Sequence, residues 1–389
     1  MCPVSVFAET SLFAEKCLDG GHQKGQFQQM LNLAKSVNNL EHRAAGSLKA
    51  LLSQVPAIEL QDIHLERQAA DREIDILAHI IVAGRPHSIV CEVKASGQPR
   101  HVRIALLQLR NYIHHIEAGA IPFLIAPYLS PEAQALCREQ GIGFLDFEGN
   151  ARLAFDGVFI ERQVASKPAA ARRELKSIFK PKSAQVLRVM FRDPSRAWRV
   201  TELANAADVS VGHISNVRAA LLDREWARLD AAGLSLTGPD ALLDAWRDAY
   251  EPPSGERFNF YTTLHGGAFD EAVRKALGTS NLDGNVIFGS FSAAQWLAPY
   301  ARIGSQFLYV DETGLDKLRQ GLVLSSPIKG ENVIVTRLKD RGLFRDAIEP
   351  APGIACTSPI QTYLDLSAAG ERGREAADHL RHEKLRWTR

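Results

Sequence analysis

The chain has 389 residues, 46% hydrophobic and 23% charged, which is globular material too long for one ordinary domain and neither disordered nor fibrous. Its 46 Lys and Arg nearly cancel its 45 Asp and Glu, for a formal net charge of +1, so a nucleic-acid surface would have to rest on local rather than global charge. Five scattered cysteines (Cys2, Cys17, Cys91, Cys137, Cys356) form no C-x-x-C pair and indicate neither a zinc ribbon nor a disulfide scaffold; no signal-peptide pattern and no apolar run of membrane-spanning length are present, so a cytoplasmic protein with no membrane association is expected.

The first block runs to about residue 165. It opens with a helix over Gln26 to Gln54, where Leu31, Ala34, Val37, Leu40, Ala44, Leu48 and Leu51 recur at helical spacing. Three strand-like runs follow, Ile58 to Gln68, Glu73 to Val82 and Ser88 to Ala95, separated by polar turns, the second at Gly84-Arg85-Pro86. A long amphipathic helix spans His101 to Glu117, then a strand Ile121 to Ala126. Ser130-Pro131-Glu132 starts a short helix, with serine as cap and proline at its first position. Strands at Ile142 to Phe147 and Ala151 to Phe155 complete an α/β domain with a mixed sheet.

Strand alternation puts Glu92 and Lys94 on one face and Cys91 and Val93 on the other. If the second and third strands form an antiparallel hairpin, Asp75 comes beside Glu92. Two carboxylates that close repel unless a divalent cation sits between them, and their oxygens suit Mg²⁺. A neighbouring lysine can orient or activate an attacking water and balance transition-state charge. The plainer alternative is a solvated Glu92–Lys94 ion pair on an edge strand.

Asp75, the E-x-K run Glu92-Val93-Lys94 and the order helix, three strands, helix, strand resemble the PD-(D/E)XK nuclease superfamily over roughly residues 27–126. Ile74 stands where many members have proline. The resemblance implies metal-dependent phosphodiester hydrolysis, with Asp75 and Glu92 as metal ligands. It also implies a further glutamate on the first helix, for which Glu41 is the candidate, and a Q-x-x-x-Y element, matched by Gln108 and Tyr112. One helix face would carry both Gln108 and Tyr112, toward the site or the DNA backbone.

Residues 166–250 form a middle block. Ser166 to Lys182 carries six lysines and arginines against Glu174, and reads either as a solvated tether or as a phosphate-contacting arm. Helices are predicted over Ser183 to Phe191, from Val200, and over Val211 to Leu221 with Ser210 as cap. In the third, Ile214, Val217 and Leu221 point inward, leaving His213, Ser215, Asn216 and Arg218 outward. Two short runs, Ala227 to Asp230 and Leu234 to Thr237, read as a hairpin wing. The segment resembles bacterial winged-helix regulators, which implies a third helix in the major groove of double-stranded DNA. Arg192, Arg196, Arg199, Arg218, Arg224 and Arg228 surround it, although winged helices also serve as protein-binding modules.

Residues 256–389 mix helices with strands at Asn285 to Phe291, Gln306 to Asp311 and Asn332 to Arg337. A Gly289-Ser290 turn after a strand resembles nucleotidyltransferases, but their acidic pair at alternate positions is absent, since Glu312 and Thr313 follow Asp311. A simple alternative is that Gly289 lets a strand turn tightly into a helix. With the late run Ser358-Pro359-Ile360-Gln361-Thr362-Tyr363-Leu364-Asp365-Leu366, this turn is similar to the AbiEi-type antitoxin family of type IV toxin-antitoxin systems, over roughly residues 183–385. That resemblance implies promoter binding and a cognate toxin gene or protein, although the family's winged helix usually lies near the N-terminus. Two readings follow: a Mg²⁺-dependent DNA endonuclease aimed by its winged helix, or an antitoxin-like regulator whose nuclease-like domain is non-catalytic. A protein-interaction role without DNA is a third. A homodimer is expected by analogy with both classes.

Overall fold

In the computed structural model, the described residues are 39–69, 72–115, 119–164, 167–277, 285–300, 304–326 and 330–387. They fall into two compact units, residues 1–168 and 169–389. Residues 26–38 of the predicted first helix, Cys2 and Cys17 lie outside the described residues.

The N-terminal unit contains helix α1 (residues 39–52), strands β1 (Ile58–Ala69), β2 (Arg72–Val82) and β3 (Arg85–Val93), and helix α2 (Pro99–His115). Then come β4 (Ile121–Ala126), α3 (Pro131–Glu139), β5 (Gly143–Asp146), β6 (Ala151–Phe155) and β7 (Val158–Arg162). Its seven strands pair in sequence order. The β3–β4 and β4–β5 pairs, each joined through a helix, are parallel and the rest antiparallel, so the sheet is mixed as expected. On one face Ala44, Leu48, Leu51 and Leu52 of α1 pack against Ile76, Cys91 and Phe123. On the other, Val102, Leu106 and Leu109 of α2 and Cys137 of α3 pack against Leu77, Val90 and Leu124. Covered on both sides, β3 is buried without alternation from Ile89 to Val93.

Turn chemistry fixes the register. The β2–β3 hairpin turns on Ala83 (φ 50°) and Gly84 (φ 78°), so Arg85 and Pro86 belong to the strand rather than to the turn expected of them. Pro86 is tolerated because β4 joins β3 only from Ile89. Asp156-Gly157 makes the same kind of turn and creates β7, a strand beyond those expected from sequence. Ser130 caps α3 by accepting the Ala133 N–H at 3.2 Å.

In the C-terminal unit the basic segment after residue 166 is not an extended tether. It forms helix α4 (Ala169–Ile178), anchored by Ile178 and by Glu174, which pairs with the buried Arg224 at 2.8 Å. Helices α5 (Pro181–Arg192), α6 (Val200–Ala207) and α7 (Val211–Asp223) follow, then β8 (Ala227–Leu229) and β9 (Leu234–Leu236), the element order expected of a winged helix. A bridge from Trp198 to Leu234 adds a third strand position to the hairpin. Next come α8 (Pro239–Asp248), β10 (Gly255–Phe260), α9 (Gly267–Leu277), β11 (Val286–Phe288), α10 (Ser290–Leu297), β12 (Gln306–Val310), α11 (Glu312–Gly321) and β13 (Val333–Leu338). A 3₁₀ turn (Arg341–Asp346), β14 (Ile348–Ala351), β15 (Ile354–Cys356), α12 (Pro359–Ser367) and α13 (Glu371–Lys384) complete the unit. Its six-stranded mixed sheet has the order β10-β13-β12-β11-β15-β14. Helices α5 to α8 share one hydrophobic core with α10, α12 and α13.

Candidate functional site

Antiparallel pairing of β2 with β3 runs from Val82↔Arg85 to Ile76↔Cys91. The same register would next oppose Asp75 and Glu92, and there the backbones part. Asp75 Oδ2 accepts the Val93 N–H at 2.6 Å, a charge-assisted bond in place of a ladder bond. Beyond that point β2 stays paired with β1 as far as Ala69↔Arg72. Strand β3 stays with β4 through Val93↔Ile125, and the Lys94 N–H continues the line to the Ile125 carbonyl at 2.9 Å. The sheet forks at Asp75.

By strand alternation Asp75 and Glu92 share the face of Leu77 and Val90, the face that α2 covers. The Glu92 side chain is only 8% exposed, and Lys94, whose side chain is 25% exposed, donates from its ammonium to that carboxylate. Burial raises the Glu92 pKa and the charge of Asp75 raises it further, while the hydrogen bond and charge of Lys94 pull it down. Cys91 points to the opposite face. Burial, then Asp75, lifts its thiol far above the ordinary range, which makes it inert as a nucleophile near neutral pH.

Of the predicted site residues, Asp75, Glu92 and Lys94 come together at the fork. Glu41 is buried on α1, one turn ahead of Ala44 on the stripe that packs against the sheet. Gln108 and Tyr112 do not act as a shared face. Tyr112 is 5% exposed in the core beneath α2, whereas Gln108 stands in solvent. The two differ by about 40° around the helix, and the edge of the buried stripe falls between them.

Among the described residues, no three His, Cys, Asp or Glu side chains gather as a metal site. The protein contribution at the fork is two carboxylates. That donor set fits Mg²⁺, which keeps several waters and takes one or two carboxylates plus substrate phosphate. The rise that Asp75 imposes on Glu92 is the repulsion such a cation would relieve.

In the C-terminal unit, α6 ends at Asp208 in the left-handed region (φ 50°), and Ser210 caps α7 by accepting the His213 N–H at 3.3 Å. Ile214, Val217 and Leu221 are buried as expected. Asn216 is exposed, and Ser215 and Arg218 are half-buried. His213 departs from the outward role expected of it: it is half-buried, and its Nε2 lies 3.1 Å from Ser183 Oγ on α5. Arg199 is exposed, and Arg228 is exposed with its Nε 3.3 Å from Ser235 Oγ. Two neighbouring arginines are tied to acidic partners, Arg224 from a buried position and Arg192 while still exposed. Arg224 pairs with Glu174, and Arg192 pairs with Asp346 at 2.7 Å.

The two C-terminal motifs meet, which the sequence did not disclose. Asp365 of α12 is buried and accepts from Tyr250 Oη, from Gln361 Nε2 at 3.0 Å, from Tyr309 and from the Ser290 backbone N–H. Burial raises its pKa to about 6, against the pull of these four donors. Gly289 is extended (φ −127°), so its role is not conformational freedom; a Cβ there would stand 2.5 Å from the Tyr309 ring. The left-handed residue is Ser290 (φ 48°).

Residues 235–386 match the model of a family described as transcriptional regulator, AbiEi antitoxin, type IV toxin-antitoxin system. The match begins within β9, so α5, α6 and α7 lie outside it. Among solved structures, the chain is similar to a repair endonuclease from Pyrococcus abyssi (16% identity, 26% of this chain and 46% of that one, TM-score 0.21). It is also similar to EndoMS in its apo form (16% identity, 27% of this chain and 45% of that one, TM-score 0.20). Each match spans less than half of the other chain. No curated protein matches the chain.

Proposed function

We propose that the chain is a DNA-binding protein whose N-terminal unit hydrolyses phosphodiester bonds with Mg²⁺ and whose α7 segment holds the duplex. The observation that carries the reading is the fork, where two carboxylates converge on one face beside Lys94. Mg²⁺ held by Asp75 and Glu92 would polarise the phosphate and lower the pKa of a bound water. Lys94 balances charge from the same face and is free to turn toward substrate once a metal takes over Glu92. In the second unit, the exposed Asn216 of α7 would read a base edge, with the exposed Arg199 and Arg228 as phosphate contacts.

The family match at residues 235–386 favours a second reading, an antitoxin-like regulator with a cognate toxin, in which the Lys94–Glu92 pair is a closed, non-catalytic arrangement. One experiment separates them. Supercoiled plasmid and short duplexes are incubated with Mg²⁺, Mn²⁺ or EDTA and with wild type, Asp75→Ala or Lys94→Ala, and the same duplexes are gel-shifted. Nicking that requires the metal and both side chains supports the nuclease. Salt-sensitive binding, equal in all three proteins and without nicking, removes the enzyme and leaves the regulator.

A further inference from the structure

Helix α7 turns Ile214, Val217 and Leu221 inward. Helical geometry puts Gly212, Ser215, Asn216 and Ala219 opposite that stripe. Gly212, Asn216 and Ala219 are exposed there, and Val211, at the head of the helix, is 50% exposed. None of these exposed residues is charged. Arg218 lies instead at the edge of the inward stripe and is half-buried. His213 is turned back onto Ser183 at 3.1 Å, and the Ser215 hydroxyl donates to the Val211 carbonyl at 3.2 Å. The polar side chain left to the outer face is the Asn216 amide.

Gly212 has no evident purpose inside the protein. Its backbone is not left-handed, and a Cβ built on it would meet nothing within 4 Å. Glycine weakens a helix relative to alanine. Its effect here is to keep the middle of the outer face low, so that another surface can approach the α7 backbone. The surroundings suit an anionic surface. Lys182, exposed, precedes the serine that meets His213, and Arg199 is exposed one residue before α6. Asp208, at the turn between α6 and α7, is answered by Arg345 at 2.9 Å.

In the major groove, guanine is read by the paired donors of arginine or lysine, adenine by the amide of asparagine or glutamine, and the thymine methyl by an apolar side chain. The outer face of α7 offers the second and the third. We propose, on the reading that α7 holds the duplex, that it selects A·T pairs: Asn216 pairs with adenine, Val211 lies against the C5-methyl of thymine, and the outer face does not read guanine. Five residues of helix rise by about 7.5 Å, so both contacts fall within roughly three neighbouring base pairs.

The test uses the full chain in EDTA, which separates binding from metal-dependent nicking. A pool of short duplexes of random sequence is selected for binding, and the recovered duplex is titrated by fluorescence anisotropy. Recovered sites should carry adenine and thymine at neighbouring positions, and replacing the contacted adenine should weaken binding at least about fivefold, a loss absent in Asn216→Ala. Deoxyuridine in place of thymine removes only the C5-methyl. It should weaken wild type by roughly threefold or more, and Val211→Ser should bind the two duplexes alike. Recovered sites read through guanine, or without base preference, overturn the A·T selection while leaving duplex binding intact. Equal binding of the thymine and deoxyuridine duplexes by wild type overturns the role of Val211. No binding to any duplex at low salt overturns the duplex-holding reading, and the selection with it. Should either variant fail to fold, the wild-type comparisons decide.

Discussion

In the N-terminal unit, Asp75 and Glu92 face each other with Lys94 as their cation, at a place where two strands separate. In the C-terminal unit, Asp346 and Asp365 sit among Arg188, Arg192, Tyr250, Tyr309 and Gln361, drawn from several helices and a strand. Both places bury charge, yet they are built for different ends. The second draws donors to its carboxylates from several elements and ties α5, α12 and the sheet to one another. The first sets two carboxylates on one face at an edge from which the backbone ladder has withdrawn. Burial of an ionisable group is therefore a poor sign of chemistry taken alone, and two carboxylates held together beside a break in the ladder are a better one.

The contrast can be broken most sharply from the C-terminal side. Asp346→Ala leaves the guanidinium of Arg188 buried without its nearest carboxylate and is expected to cost about 3–5 kcal/mol. Urea unfolding measures it, and a loss below about 1 kcal/mol would mean that the network does not hold the unit together.

Asp365 gives a pH signature next in size. Folding raises its pKa from 3.8 to about 6, so the native state keeps a proton that the unfolded chain has released. Its stabilising share is full below the unfolded pKa and is lost as pH climbs to about 6, a fall of ~3 kcal/mol. In Asp365→Asn that fall should vanish, leaving a flatter stability profile across the same window than in wild type. Parallel profiles for the two proteins would contradict the burial described for this group.

A smaller effect of opposite sign is expected at the fork. Glu92 is held against Asp75, and its pKa is raised by burial and by that charge. Glu92→Gln removes the repulsion, and Lys94, a quarter exposed, can turn to water. Near neutral pH the variant should be more stable by ~1 kcal/mol while losing any metal-dependent nicking, a trade characteristic of functional sites. A destabilised variant would instead mark Glu92–Lys94 as a structural pair like those of the C-terminal unit.

Much of this contrast was legible in the sequence, and the limits have physical reasons. Alternation along a strand is strict, so residue order alone places Glu92 and Lys94 on one face and Cys91 on the other. Ser130-Pro131 announced α3 because capping chemistry is local. Asp156-Gly157 is an equally local signal for the turn into β7, although β7 was not among the expected strands. The meeting of Ser290 with Asp365 had no local signature, since 75 residues separate them and only tertiary packing brings them together. The arginines misled for a related reason. In sequence, Arg192 and Arg224 look like Arg199 and Arg228, and the difference lies in Asp346 and Glu174, whose positions no periodicity reveals.

The smallest expected effect tests the reassignment of α2. Helical spacing put Gln108 and Tyr112 on one face, but a stripe has an edge, and the structure places Tyr112 inside it and Gln108 outside. Gln108→Ala should therefore change stability by no more than about 0.5 kcal/mol, whereas Tyr112→Ala should cost several kcal/mol through the cavity it opens. The pair matters more than either value. Comparable losses in both variants would mean that α2 is rotated toward the arrangement expected from sequence, with Gln108 packed against the sheet near Glu92. A loss confined to Tyr112 leaves Gln108 in solvent. Any influence of Gln108 on nicking would then have to come through direct contact with DNA, because its side chain is not part of what shapes the fork.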